Sequence, residues 1–303
     1  MGADDRRIGP GPHTMTVKRP DKTLFPSHRG LDAIPKGQVV DYYRRIAETL
    51  LPHLDGRPVS LQRCPDGIDD CFFQKNVPDH FPEWIARVSL PAEGKTVDYL
   101  AVQDLSTLLY IADQAAIALH TGLSRVDRPE YPDRLIFDLD PSNDDFSPVR
   151  WAAGVLRRAF GTMEMPSFLM TTGSRGLHVV VPLDRSATFD ESRDFARRMA
   201  EELAARYPDR LTVEQRKKAR KGRVFLDYLR NAYGQTTIAP YSLRTLQGAP
   251  VAAPLEWNEL KPRLRPDRWT LGNIFRRLAQ REDPFKAIGQ RGIAIDPERL
   301  DRL

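Results

Sequence analysis

Apolar residues recur with the period of an α-helix in several stretches of the chain. One such stretch is Lys36–His53. A second begins at Asp104, a residue type that often caps helices, and is predicted to continue to about His120. Further helices are predicted for Ser147–Phe160 and for a stretch that begins at Asp190 and ends near Tyr207.

Short runs rich in β-branched and aromatic residues, closed by Pro or Gly, predict strands between these helices. The predicted strands are Val59–Gln62, Thr96–Val102, Arg134–Asp140, Ser167–Thr171, Leu177–Leu183 and Arg223–Leu229. The order of strands and helices in the middle of the chain favours an α+β fold with mixed or antiparallel sheets flanked by helices. Because no long Ser/Gly linker divides the chain, we expect one compact unit of two interlocked lobes.

Composition adds limits to this picture. The chain has 303 residues, of which 41% are hydrophobic and 29% are charged, which is enough for a sizeable core. A net charge of +5 permits a polyanionic partner without proving one. The apolar runs are far too short to span a membrane, so we expect no membrane partner. Residues 1–13 are polar and rich in Gly and Pro, which predicts a flexible leader rather than a signal peptide.

Two cysteines, Cys64 and Cys71, are too few for a disulfide framework and fit a reducing cytoplasm. An alternative is a zinc site that also uses His53 or His80. The four regularly spaced ligands typical of structural zinc are not evident in the sequence.

The segment Arg134–Pro141 contains the sharpest chemical pattern, Asp-Leu-Asp. Alternate residues of a strand point to the same side, so Asp138 and Asp140 share one face about 7 Å apart. Two carboxylates held together repel each other, and a divalent ion removes that conflict. The alternative is a pair of solvated acids at a strand end, because Asp-x-Asp alone is shared by several enzyme classes.

A turn with two glycines, at positions 173 and 176, follows about thirty residues later and is predicted to join two strands. Glycines let backbone amides point at phosphate oxygens. Thr172 and Ser174 add hydroxyl donors, Arg175 adds a guanidinium, and His178 can donate an imidazole N–H. This concentration of donors favours a nucleotide triphosphate over an ordinary polar hairpin.

A third acid, Asp227, lies within an apolar strand, where its charge requires a partner or a metal ion. A salt bridge with Arg230 is the competing explanation. Three acids in one sheet match the needs of a two-metal phosphoryl-transfer site. The preceding basic run, Arg216–Arg223, is either a solvated loop or a flap that contacts phosphates, and Arg244 is a further candidate phosphate contact.

Together these motifs resemble the archaeo-eukaryotic primase superfamily, and more closely the polymerase domain of bacterial DNA ligase D. The resemblance extends from about Thr16 to the C-terminal region. The matching segments are Asp21–Pro26, Asp41–Tyr43, Pro58–Leu61, Arg63–Gly67, Phe72–Lys75, Phe137–Pro141, Gly176–Pro182, Asp227–Asn231 and Ala239–Ser242.

The resemblance implies a primase-type catalytic core at residues 14–303, with a DNA-binding lobe at about 14–130, a catalytic lobe at about 131–250 and a C-terminal helical segment at about 251–303. It implies a template-dependent nucleotidyltransferase that fills gaps or extends ends during end joining. The expected partner is DNA with a 5′-phosphorylated gap or end. Two divalent cations are expected, with manganese preferred over magnesium, and ribonucleotides (NTP) are favoured over dNTP. A separate DNA ligase and a Ku-like end-binding protein are candidate partners.

The resemblance also implies roles for individual residues. The residues expected to hold the metal ions are Asp138, Asp140 and Asp227. Those expected to contact the nucleotide are His120, Thr172, Ser174, Arg175, His178 and Arg244. Those expected to contact DNA are Lys22 and Lys36, at a 5′-phosphate, and Phe72 or Phe73, on the template.

Two departures qualify the resemblance. The family turn usually carries Lys where this chain has Arg175, which keeps the charge and changes its shape. A Lys-x-Asp-Gly ligase motif is absent, since Cys64 stands where Lys would be required, so we expect polymerase chemistry alone. The alternatives are a metal-dependent nuclease or glycosyltransferase, and a DNA-end-binding module with a vestigial site.

Overall fold

The computed structural model describes residues 7–9, 13–92 and 94–303. In chain order the strands are β1 (Arg7–Ile8), β2 (Met15–Thr16), β3 (Thr23–Phe25), β4 (Ile34–Pro35), β5 (Val59–Arg63), β6 (Phe72–Gln74), β7 (Arg87–Ala92), β8 (Lys95–Leu100), β9 (Ala116–Gly122), β10 (Arg134–Asp140), β11 (Phe168–Thr171), β12 (Leu177–Pro182), β13 (Leu211–Thr212), β14 (Val224–Asp227), β15 (Thr236–Ile238) and β16 (Pro254–Leu255). The α-helices are α1 (Lys36–Leu54), α2 (Leu105–Asp113), α3 (Ser147–Thr162), α4 (Phe189–Arg206) and α5 (Ile274–Leu278). This mixture of helices and mainly antiparallel strands confirms the predicted α+β class.

The chain divides into two units, each assembled from segments that are distant in sequence. The first unit consists of Met1–Gly122, Ile238–Ala252 and Trp269–Gln280. The second consists of Leu123–Thr237, Ala253–Arg268 and Arg281–Leu303. The units therefore cut across the expected boundaries near residues 130 and 250, because the chain returns twice to the first unit. The C-terminal segment, expected to be helical, contains strand β16, helix α5 and short 3-10 turns.

In the first unit, α1 confirms the predicted helix and buries its apolar stripe. Tyr42 and Tyr43 are almost fully buried, and their hydroxyls donate to the carbonyls of Tyr241 and Ile117 at 2.7 and 2.5 Å. The sheet of this unit has the order β15-β9-β5-β8-β7, with β6 paired to β5, and β15 is the strand at which the chain passes back into the unit. The Tyr42 bond ties the returning segment to α1, and the Tyr43 bond ties β9 to the same helix.

One helix prediction is wrong in its second half. Asp104 caps α2 as expected, since its carboxylate accepts from the backbone N–H of Thr107 at 2.8 Å. The helix ends at Asp113, Ala115 adopts a positive φ of 57°, and the following residues form β9. Because β9 is almost entirely buried, its apolar run lacks the alternation that would have marked it as a strand. His120 therefore lies on a strand.

The cysteine prediction is also wrong, because Cys64 and Cys71 form a disulfide. Arg63 of β5 pairs with Phe72 of β6, so the two cysteines flank the loop of a hairpin and face each other across its base. Both sulfurs are consumed by this bond and are not available as zinc ligands.

The expected leader, residues 1–13, lies partly outside the described residues. Within the described part, β1 pairs with β2, and the ring of His13 stacks on Trp84 at 4.4 Å. Among the helices that the structure describes, none combines the length and apolar character needed to cross a bilayer.

In the second unit, the sheet has the order β13-β14-β10-β12-β11-β16 and is antiparallel apart from the β13–β14 pair. The bounds of β10 are those predicted. Leu135, Phe137 and Leu139 are fully buried on one face, and Phe137 contacts Phe160 of α3 with ring centroids 6.0 Å apart. The alternation therefore leaves the two acids of β10 on the opposite face.

Asn231 completes the hydrogen bonding of β10 where β14 does not reach. Strand β14 pairs with β10 only at residues 138–140. At Ile136, the Asn231 side chain accepts from the backbone N–H and donates to the carbonyl, both at 2.7 Å. The amide of Asn231 is 1% exposed, so a side chain substitutes here for the missing strand.

We expect Asn231→Ala to destabilise the protein by about 2–4 kcal/mol, because it leaves a buried N–H and a buried carbonyl without their partner. Urea denaturation measures the change. The exposed Asn258 offers a matched control, and Asn258→Ala should change stability by less than about 0.5 kcal/mol. Equal stability of the two variants would contradict the role given to Asn231.

Candidate active site

The register of three strands brings polar side chains into one row on the open face of the second unit's sheet. Asp138 of β10 lies directly opposite His178 of β12 and directly opposite Asp227 of β14. Directly opposed residues in antiparallel strands extend their side chains to the same face. The expected meeting of Asp227 with the Asp138/Asp140 pair is therefore confirmed.

The charged groups of this row lie near one another, at distances at or beyond the upper limit of a hydrogen bond. His178 Nε2 lies 3.4 Å from Asp138 Oδ1. Arg230 Nε lies 3.9 Å from Asp138 Oδ2 and 3.8 Å from Asp227 Oδ2. Asp227 Oδ1 accepts from the backbone N–H of Leu229 at 2.8 Å. The Arg230–Asp227 ion pair, considered above as an alternative explanation for the buried acid, is thus present. Arg230 also lies within ion-pair distance of Asp138.

Both Asp140 and Asp227 resist ionisation. Loss of hydration raises the pKa of Asp140, and the negative charge of Asp138 raises it further, even though Asp140 is exposed at the strand end. Loss of hydration is also the main cause that raises the pKa of Asp227. His178 and then Arg175 offset the rise in the pKa of Asp140 only in part. The hydrogen bond from Leu229 and then the charge of Arg230 do the same for the pKa of Asp227.

A hard divalent cation fits this donor set, because carboxylate oxygens are its preferred ligands and its charge would relieve the repulsion. The side chains have the right chemistry for such an ion, but they are not yet arranged to coordinate it. Within residues 7–9, 13–92 and 94–303, no group of three or more His, Cys, Asp or Glu side chains is already arranged around a point where an ion could bind. Binding would require the carboxylates to turn toward one another.

The predicted Gly-containing turn adjoins these acids. Gly173 has a φ of +68°, and the hydroxyl of Thr172 accepts from the backbone N–H groups of Ser174 and Gly176 at 3.3 and 3.1 Å. A Cβ placed on Gly176 would lie 2.8 Å from Asp140 Oδ1 and 2.4 Å from the carbonyl oxygen of Leu139. Glycine is therefore required at 176 for the turn to pack against the acidic strand, and Thr172 holds the turn in shape.

Beside the turn is an open cavity of about 580 Å³ within the second unit. Ser174 and Arg175 line it together with Arg150 and two arginines of a loop after β16, Arg263 and Arg265. Asp144 and Asp267 also line the cavity. Asp144 Oδ1 lies 3.8 Å from the half-exposed guanidinium of Arg175, and Asp267 Oδ1 lies 3.2 Å from Arg265 Nε. This excess of cationic over anionic groups suits a phosphate chain.

The remaining predicted site residues belong to the first unit. The ring of His120 meets Phe73 edge-on, with centroids 5.3 Å apart. Phe72 and Phe73 are 47% and 60% exposed, so neither ring is buried. Arg244 lies on the segment that returns to this unit, and its backbone N–H donates to the carbonyl of Pro250 at 2.8 Å.

The two lysines differ sharply in their surroundings. Lys22 is partly exposed and forms an ion pair with Asp66 at 2.6 Å. Lys36 is 6% exposed, and its Nζ donates to the carboxylate of Asp113 at 2.7 Å and to its carbonyl at 3.1 Å. Lys36, which the resemblance places at a 5′-phosphate, is therefore buried in an ion pair. Its partner is 77 positions away in sequence, so no local pattern could have identified it.

We expect Asp140→Asn to raise Tm at pH 8 in the presence of a chelator. Because the folded-state pKa of Asp140 is raised, its ionised form weakens the fold above that pKa. The penalty disappears as the pH falls below the value of an unfolded aspartate, about 3.9. The gain in Tm should therefore shrink on acidification. Scanning calorimetry at several pH values, with the exposed Asp209→Asn as control, measures this.

Comparisons with known proteins identify the family. A family model described as the primase-polymerase domain of LigD matches residues 35–285. The multifunctional non-homologous end joining protein LigD of Mycolicibacterium smegmatis is 35% identical over 256 residues, which cover 83% of this chain and 33% of that protein. The bifunctional non-homologous end joining protein LigD of Bacillus subtilis is 32% identical over 268 residues, covering 88% and 42%. The chain thus spans well under half the length of these relatives.

The fold matches as well. The solved polymerase domain from Mycobacterium tuberculosis ligase D, in complex with DNA, superposes with a TM-score of 0.84 at 31% identity. The match covers 92% of this chain and 99% of that one. Domains of this family are nucleotidyltransferases and generally depend on divalent metal ions. Since the family model matches most of its length, the chain belongs to the LigD primase-polymerase domain family.

Proposed function

We propose that this chain extends primers on template DNA, adding nucleotides at gaps or broken ends during end joining. The observation that carries the proposal is the row of His178, Asp138 and Asp227 on three neighbouring strands, next to a turn and a cavity rich in anion donors. Relatives of the chain are named for non-homologous end joining, and the related domain of known structure was solved with DNA. We therefore propose DNA with a 5′-phosphorylated gap or end as the partner.

In this proposal Asp138, Asp140 and Asp227 hold divalent cations, with manganese preferred and magnesium able to substitute. Such cations, when bound, lower the pKa of a primer 3′-hydroxyl and stabilise charge on the departing pyrophosphate. The acids sit at the end of β10 and on the adjacent β14, so they are fixed by the sheet rather than by a mobile loop. His178 is buried beside Asp138 and can donate an N–H to a phosphate oxygen.

The nucleotide is proposed to bind with its phosphates toward the turn and the adjoining cavity. Ser174 and Arg175 face that cavity and supply a hydroxyl and a guanidinium. Thr172 acts by holding the turn, because its hydroxyl is engaged with the turn's own backbone. His120 and Arg244 are proposed as further nucleotide contacts. We propose that ribonucleotides are preferred over deoxyribonucleotides.

Contacts to DNA are proposed for the first unit. Phe72 and Phe73 present exposed rings that can stack on template bases, a contact that contributes about 1–3 kcal/mol per base. Lys22 is proposed to bind the 5′-phosphate, for which its pairing with Asp66 would have to open. Lys36 is assigned a structural role instead. A separate DNA ligase and a Ku-like end-binding protein are proposed partners in the cytoplasm, at the nucleoid.

We expect Asp138→Ala and Asp227→Ala each to reduce primer extension by about three orders of magnitude or more, because each removes an oxygen donor that neighbouring residues cannot replace. Extension is measured on a gapped duplex, with and without a 5′-phosphate, comparing manganese with magnesium and ribonucleotides with deoxyribonucleotides. Asp209→Ala is the control and should extend normally.

Both variants should still bind the gapped duplex, since the acids do not contact DNA in this proposal. Normal extension by Asp138→Ala would refute the proposal. Digestion of DNA by the unmodified protein without added nucleotide would identify a nuclease instead, and binding without any incorporation would identify a vestigial site.

The two lysines should respond differently to loss of charge. Lys36→Met should destabilise the protein by about 3–5 kcal/mol, because it leaves the Asp113 carboxylate buried without its cation. Lys22→Gln should cost less than about 1 kcal/mol and should abolish the preference for a 5′-phosphorylated gap. Urea denaturation and competition binding with phosphorylated and unphosphorylated duplexes measure these effects. A Lys22→Gln variant that keeps the full preference would remove Lys22 from the DNA contacts.

A further inference from the structure

Arg230 lies near two of the acids of the second unit at the same time. It follows Asp227 by three residues, in the turn after β14. Its Nε lies 3.8 Å from Asp227 Oδ2 and 3.9 Å from Asp138 Oδ2. These two oxygens belong to carboxylates that face each other on neighbouring strands.

The other oxygen of each carboxylate faces a different group. Asp227 Oδ1 accepts from the backbone N–H of Leu229, and Asp138 Oδ1 faces His178 Nε2. One guanidinium therefore supplies positive charge to one oxygen of each carboxylate. A divalent ion bound by both carboxylates would relieve the same repulsion.

The guanidinium is held loosely. Both distances exceed the length of a hydrogen bond, so the attraction is mainly that of charge for charge. The side chain of Arg230 is 45% exposed, whereas those of Asp138 and Asp227 are 15% and 16% exposed. A long side chain with one end in water can turn away without breaking a packed contact.

We propose that Arg230 is a positioning residue that serves as a tethered counter-cation. It holds the carboxylates of Asp138 and Asp227 together when no divalent ion is bound, and an arriving ion displaces it. The displaced guanidinium remains beside the site, where its charge attracts phosphate. This inference rests on the proposed function, because it takes these acids to be the metal ligands.

The proposal makes opposite predictions for two properties of one variant. Removing the charge in Arg230→Gln should tighten Mn²⁺ binding, because the ion no longer competes with a cation. The same change should lower Tm in the presence of a chelator, because the acids lose the charge that offsets their repulsion. A residue with a merely structural role would weaken both properties when replaced.

The experiment titrates the purified full chain with Mn²⁺ and follows the electron paramagnetic resonance signal of the free ion, so it does not depend on activity. We expect Arg230→Gln to bind Mn²⁺ about twofold to fivefold more tightly than the unmodified protein, the upper part of the range set by a partly exposed charge pair. Arg230→Lys, which keeps the charge, should stay near the unmodified value. Arg206→Gln is the matched control, with a side chain 42% exposed that pairs with Glu202 on α4.

Unchanged or weaker Mn²⁺ binding by Arg230→Gln would overturn the inference. Arg230→Met, which keeps the length of the side chain without its charge, provides the same measurement if the glutamine variant does not fold. The proposed function fails separately in two cases: the unmodified protein does not bind Mn²⁺, or Asp138→Asn binds it as well as the unmodified protein does. If Asp138→Asn removes Mn²⁺ binding and Arg230→Gln leaves it unchanged, the inference about Arg230 fails and the proposed function stands.

Discussion

The sheet of the second unit is constrained by two like charges that lie directly opposite each other on paired strands. Asp138 and Asp227 face each other across β10 and β14, an arrangement that a sheet normally avoids because directly opposed acids repel. The fold tolerates this because the same strands bury a fully apolar face beneath the acids, with Leu135, Phe137 and Leu139 against the helices. Burial on one face thus secures a register that electrostatics on the other face opposes.

Individual residues around the acids then hold the acidic strand and its neighbouring turn in place. Asn231 replaces the missing strand partner of Ile136, so the segment just before Asp138 keeps its backbone hydrogen bonds. Gly176 allows the turn to lie against the end of β10.

Sequence reasoning found the acidic strand and its partners because the signals there are local. Alternation along β10 and the terminating Pro141 fix both its bounds and its faces, and the glycines mark the turn before Gly176. It failed where the deciding contact is distant or the pattern is ambiguous. The apolar run before His120 fits helix and strand alike, and the Lys36–Asp113 pair joins residues 77 positions apart. The disulfide depends on the β5–β6 register, which no spacing of two cysteines reveals.

The interleaved composition of the two units has a consequence for how the chain can be made. The first unit needs Ile238–Ala252 and Trp269–Gln280, which emerge from the ribosome only after most of the second unit. Tyr42 of α1 finds its hydrogen-bond acceptor at Tyr241, and the backbone N–H of Leu119 finds its own at the hydroxyl of Ser242, at 2.7 Å. Neither unit can therefore be completed cotranslationally before the other is largely synthesised, and no single cut in the chain yields two intact halves.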